Sequence, residues 1–181
     1  MVDIMKSTAL EYFTAIPIAI VVGVAIVTDL RSRRIPNTLT FPAIAAALLV
    51  RLVLQGWLGL GLAVAGAVVA PVVLLVVHFG KGIGMGELKL AAAVGAFFGP
   101  VPAVVAMLVS AVLGGVIAIA LLMRRGQLLG DLLALFFINI PYLKRKFDVP
   151  AATTAGMTMP YGIAIGIGSL TTLAGYAWLA A

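Results

Sequence analysis

The sequence predicts an all-α fold: a polytopic membrane protein of about six transmembrane helices with both termini outside. Three observations lead there. Hydrophobic residues make up 64% of the chain and charged residues 10%, with mean hydropathy +1.23, against about 45–50% and about 25% in soluble domains. At about 20 residues per span, a chain of 181 residues is used up by roughly six helices and their loops. The basic residues gather at segment ends, where they set topology. A single integral membrane domain covering residues 1–181 is expected, with no soluble appendage.

The first span is expected at about Phe13 to Thr28. Lys6 and Glu11 precede it, and Arg31, Arg33 and Arg34 follow without an Ala-x-Ala cleavage site, so it reads as a retained helix and not as a signal peptide. A loop from Asp29 to Asn37 follows, in which Pro36 biases Ile35 away from helix. The second span is expected at Thr38 to Leu54. Gln55-Gly-Trp-Leu-Gly59 reads as a tight turn with Trp57 at interfacial depth. The third span runs from Leu60 to Phe79, followed by a glycine-rich loop from Gly80 to Gly86.

A short fourth segment is expected from Glu87 to Phe98, stopped by Gly99-Pro-Val-Pro102. The fifth span runs from Ala103 to Met123. Leu128 to Ile140 is apolar but short and interrupted by Gly130 and Asp131, which suits an interfacial or re-entrant helix. The sixth span is expected at Pro160 to Leu179. Gly162-Ile-Ala-Ile-Gly166 within it lets helix backbones approach closely; it fits packing inside the chain and also a homodimer contact.

In this order of spans, Arg31, Arg33, Arg34, Lys81, Lys89, Arg124, Arg125, Lys144, Arg145 and Lys146 fall on one side, with Lys6 and Arg51 opposite. The richer side is expected to be cytoplasmic. The net charge of +6 forms no stripe with interleaved aromatics, so nucleic acid is not an expected partner. The absence of cysteine excludes disulfides and thiolate-bound zinc.

Two acids stand out at the expected cytoplasmic boundary, Asp29 and Glu87. An acid at the edge of the bilayer is costly and a functional candidate by default. Each also has a plainer reading. Asp29 fits a topogenic loop acid or a helix end tied to a neighbouring arginine. Glu87 fits the first turn of a helix, where the dipole favours a negative charge. As a pair they say more. Two carboxyls close in space do not both ionise easily, so one keeps a proton near neutral pH. The ionised acid can then activate water against a peptide carbonyl while the protonated one polarises that carbonyl and helps protonate the leaving amine.

Glycines at 82, 84 and 86 allow positive φ and close backbone approach beside Glu87. Gly84 and Gly86 are the expected shapers of this loop. Lys89 has two readings: tuning the nearby carboxylate, or meeting a lipid phosphate. Other chemistries are poorly served. His78 is the lone histidine and reads as a packed or interfacial residue. Ser7, Ser32, Ser110 and Ser169 lie in no Gly-x-Ser-x-Gly elbow. Neither a metal nor a cofactor is expected.

Three motifs carry a family resemblance. Asp29-Leu-Arg followed by Ile35-Pro-Asn37, Gly84-Met-Gly-Glu-Leu-Lys89, and Met159-Pro-Tyr-Gly-Ile-Ala-Ile-Gly166 resemble those of the type IV prepilin peptidases, the GxGD-type membrane aspartyl proteases. The short length is most similar to the peptidase-only Tad/Flp-pilus branch. The resemblance implies an enzyme of the bacterial inner membrane that removes the basic leader from prepilins or pseudopilins at the cytoplasmic face. It implies Asp29 and Glu87 as the catalytic pair, with Gly84, Gly86 and Lys89 near the substrate, and a hydrophobic pilin helix as partner beside the lipid bilayer. Larger relatives also methylate the new amino terminus and carry a cysteine-rich domain; with no cysteine, this chain is not expected to do so. Position 87 departs from the family in holding Glu where Asp is usual. A feeble or inactive homologue that still binds pilin is therefore one alternative, and a small transporter or scaffold using paired acids is another.

Overall fold

The computed structural model describes residues 2–32, 35–77, 83–125 and 161–180. Within them the fold is all-helical: α1 (Val2–Ser32), α2 (Asn37–Val77), α3 (Met85–Phe98), α4 (Pro100–Arg125) and α5 (Tyr161–Ala180). The expected interfacial segment Leu128–Ile140, together with His78, Lys81 and Gly82, lies outside the described residues. Residues 1–113 and 160–181 make up one compact unit, to which every tertiary contact below belongs; residues 114–159 form a second.

Among the described residues, three helices are long and apolar enough to cross a membrane: α1 over Ala15–Ser32, α2, and α4 over Pro100–Ile117. Their outer faces carry large apolar side chains. Ile16, Ile20, Val24 and Val27 line α1, and Val53, Val64, Val68 and Val72 line α2, all exposed. Contiguous apolar surface on this scale suits lipid as its solvent. The protein is membrane-embedded.

α2 is longer than one crossing, and Gly56 divides it. That residue has φ 66° and ψ −152°, outside helical geometry, in the left-handed region that glycine enters without strain. The chain reverses there. A Cβ on Gly59 would overlap the carbonyl oxygen of Arg51, whereas eight residues of continuous helix would separate them by about 12 Å. Residues 37–55 and 57–77 are thus two arms of a hairpin, as the Gln55–Gly59 turn predicts. Trp57 is exposed at the bend, a position suited to the membrane interface.

α3 is the central element. Leu90, Ala91, Ala93, Val94, Gly95, Ala96 and Phe97 are buried, and the helix touches α1, α2 and α5. At 14 residues it is about 21 Å long, too short for a hydrocarbon core of about 30 Å. Small residues seat it. Gly95 meets Gly66 backbone to backbone, with Ala70 alongside. Lipid gives helices no hydrophobic reason to associate, so close backbone packing carries much of the cohesion.

The far end of α3 is closed by Arg51. The buried guanidinium donates from Nε and Nη2 to the carbonyl of Phe97 at 3.1 and 2.8 Å, and from Nη1 to Gln55 Oε1 at 3.0 Å. The last carbonyls of a helix have no intrahelical donors and carry partial negative charge, so a cation there satisfies both needs. Sequence reading treats Arg51 only as a basic residue of the outer side; the structure makes it the cap of α3.

Candidate active site

Asp29 differs from expectation in its setting. The predicted loop begins at Asp29, but α1 continues to Ser32. Leu30 and Arg31 are good helix formers, and Arg31 in the last turn complements the helix dipole. Asp29 therefore projects from a helix and is held at a defined angle. It is 5% exposed, and its Oδ2 accepts the backbone N–H of Gly162 at 3.0 Å, across 133 sequence positions. Thr28 and Ser32 satisfy their hydroxyls on carbonyls within α1.

Glu87 is the third residue of α3 and 9% exposed. Its Oε2 accepts the N–H of Gly84 at 2.9 Å. Gly84 in turn offers its carbonyl to the N–H groups of Glu87 and Leu88 at 3.1 and 3.2 Å. This is the carboxylate half of a capping box; glycine has no side chain for the other half. The backbone of Tyr161 also favours the charged form of that carboxyl, more weakly than Gly84 does.

The two acids thus meet at the amino end of α5. The Gly162 amide holds Asp29, and the backbone of its neighbour Tyr161 lies near enough to act on the Glu87 carboxyl. Glu87 lies at the head of α3, outside the three candidate spans, and its carboxyl is raised to about 7. Burial is the main cause, and the negative charge of Asp29 acts in the same direction against the hydrogen bonds from Gly84 and Tyr161. A protonated carboxyl beside an ionised one is an arrangement suited to general acid–base work.

Close approach at this end depends on glycine. A Cβ on Gly162 would stand 2.7 Å from Asp29 Oδ2, and one on Gly86 would stand 3.2 Å from the Cβ of Ile35. Gly86 therefore lets the head of α3 sit against the linker between α1 and α2. Gly84 has no such crowding; its nearest contact is Glu87 Oε2 at an ordinary 3.8 Å. The expected positive φ is absent from both. Gly84 is extended, with φ −76° and ψ 149°, and Gly86 is helical; among the described residues, Gly56 and Gly99 have positive φ.

Lys89 has a protein partner across the two helices. Its Nζ donates to Asn37 Oδ1 at 2.8 Å and lies 5.2 Å from the centre of the Phe41 ring. It ties α3 to the start of α2. Among the described residues, no three His, Cys, Asp or Glu side chains gather as a metal-holding group would require. Sequence reading marks Gly162 as a helix-packing glycine and not as a partner of Asp29. Tyr161 anchors the start of α5 through its hydroxyl, which donates to Ser110 O at 3.3 Å.

All these groups lie at one end of the bundle, where α1 ends and α2, α3 and α5 begin. Gly56, Gly99 and the exposed Trp178 lie at the other ends of their helices. Along α5, Gly162 and Trp178 are about 24 Å apart.

A model of the type IV leader peptidase family matches residues 16–119, which include Asp29 and Glu87 and stop short of α5. No curated protein and no solved structure matches the chain. Since the family match spans more than half of the sequence, the chain belongs to the type IV leader peptidase family.

Proposed function

We propose that this protein is an aspartic-type prepilin peptidase that uses Asp29 and Glu87 to remove the basic leader of a prepilin or pseudopilin at the cytoplasmic face of the inner membrane. One observation carries the reading: two acids from distant parts of the chain are buried at one end of a membrane bundle, Asp29 held by the Gly162 amide and Glu87 by the Gly84 amide. Family membership supplies the reaction class. Ten of the twelve basic residues fall on the site's side in the six-span order, which supports a cytoplasmic orientation.

The chemistry follows from the proton the pair shares. Asp29, ionised, takes a proton from a water whose oxygen adds to the scissile carbonyl carbon. Glu87, protonated, gives its proton to the carbonyl oxygen, so a neutral diol forms. As the C–N bond breaks, the proton on Asp29 passes to the leaving nitrogen and Glu87 recovers one from a diol hydroxyl. The products are the leader's carboxyl terminus and the new amino terminus of the pilin. One proton again rests on the pair.

A prepilin presents an apolar helix with its leader junction at one end. Its helix would lie in lipid against the bundle, bringing that junction to the depth of the two acids. Both acids lie at one end of the bundle and not along a path through it, which favours hydrolysis over transport. A second reading, a homologue that holds prepilin without cutting it, rests on one feature: Glu87 Oε2 is engaged by Gly84 as a helix cap.

The deciding experiment is cleavage of a co-expressed prepilin in membranes. Asp29→Asn and Glu87→Gln should each abolish leader removal, whereas Glu87→Asp should preserve or raise it. Unchanged processing by Asp29→Asn would reject the peptidase assignment. Intact prepilin co-purifying with the wild type would support the non-cleaving reading.

A further inference from the structure

We propose that Gly162 is a positioning residue for the reaction: the first turn of α5 acts as a backbone clamp on the Asp29 carboxyl, beside Glu87, and the missing side chain at 162 is what admits Asp29 to it. The inference rests on the peptidase reading above. It assigns a role to a helix that the family match does not reach.

The geometry is specific. Asp29 Oδ2 sits 3.0 Å from the Gly162 nitrogen, and an added Cβ would come to 2.7 Å from that oxygen, 3.1 Å from Cγ and 3.2 Å from Cβ of the same aspartate. A Cβ does not stand 2.7 Å from an oxygen, so a side chain at 162 must displace the Asp29 carboxyl. Asp29 is thus referenced to the first turn of α5 and not merely to its own helix. Tyr161 anchors that turn, its buried side chain reaching Ser110 of α4. A displacement of about 1 Å in such a pair can cost about 10²-fold in rate.

An open glycine on the same helix supplies the control. A Cβ on Gly175 would meet nothing within 4 Å. The test uses the full chain in nanodiscs, with a purified prepilin that retains its basic leader. Gly162→Ala should lower kcat about 10²-fold with KM within twofold, while Gly175→Ala keeps kcat. Wild-type kcat in Gly162→Ala, or equal kcat losses in both variants, overturns the clamp.

A second measurement does not depend on the variant's folding. Tyr161–Gly162 is the only Tyr–Gly pair in the sequence, so carbonyl-¹³C tyrosine with ¹⁵N glycine isolates the Gly162 amide as one NMR signal. That signal should move in Asp29→Asn and stay in place in Lys89→Met. A signal indifferent to Asp29→Asn overturns the proposal. An inactive wild type with a responsive signal removes the peptidase reading and reduces the clamp to a structural tie. An active wild type with an indifferent signal removes the clamp alone.

Discussion

Gly66 and Gly95 meet backbone to backbone, and a Cβ on either would overlap the carbonyl oxygen of the other. The contact joins the second arm of α2 to α3, the helix that carries Glu87. Neither residue has side-chain atoms that could yield, so a methyl here must separate two helices. We expect Gly95→Ala to destabilise the protein by about 1–3 kcal/mol, the usual range for overpacking a tight core, seen as a lower Tm in detergent. Prepilin cleavage should fall with it, because α3 cannot move without taking Glu87 along. Gly61→Ala is the control; its added Cβ has nothing within 4 Å and should leave both readouts near wild type.

Arg51 caps the end of α3. Its two bonds to Phe97 O come from a side chain only 7% exposed. Arg51→Met should strand that carbonyl and cost about 1–3 kcal/mol. Arg51→Lys keeps the charge but not the planar fork and should recover only part of the loss. A Tm for Arg51→Met equal to wild type would show that the cap contributes nothing.

How much of this was readable in the chain depended on how local each feature is. The turn at Gly56 and the starts of α3 and α5 were legible, because Gln55-Gly-Trp, Gly84-Met-Gly-Glu and Pro160-Tyr-Gly are local signals beside long apolar runs. The extension of α1 past Asp29 was not, because Asp29 and Arg31 look like loop residues until a helix end is known to be buried against another. Asp29 and Glu87 stood out as acids in an apolar chain. The support of Asp29 did not, because the Gly162–Asp29 bond spans 133 positions. Arg51 looked topogenic for the same reason; its partner, Phe97, lies 46 positions away.

Lys89 tests whether proximity to the acids means participation. Its amino group is engaged by Asn37 and set over Phe41, in an exposed setting where each contact contributes about 0.5–1 kcal/mol. Lys89→Met should lower stability by about that much and leave cleavage within twofold. Asn37→Ala should cost about the same, and the double variant little more than either alone, as expected of residues that share one interaction. A loss of cleavage beyond tenfold in Lys89→Met, with Asn37→Ala unaffected, would place the lysine in the chemistry.

Glu87 gives the protein a pH dependence whose sign is fixed by burial. Its carboxyl titrates at about 7 when folded, against an ordinary 4.5. Between those values the folded state keeps a proton that the unfolded chain has released, so stability declines as pH rises through the window and the loss is complete above it. Wild-type Tm should therefore fall from about pH 4.5 to 7, and Glu87→Gln, which cannot ionise, should lose that slope. Cleavage depends on the same proton. If Glu87 supplies the acid, kcat should decline as pH rises past about 7. That limb belongs to the coupled pair and not to one residue, so Glu87→Asp should move it, while Lys89→Met should leave it in place. A rate that stays flat from pH 6 to 9 would mean that the carboxyl proton takes no part in the rate-limiting step.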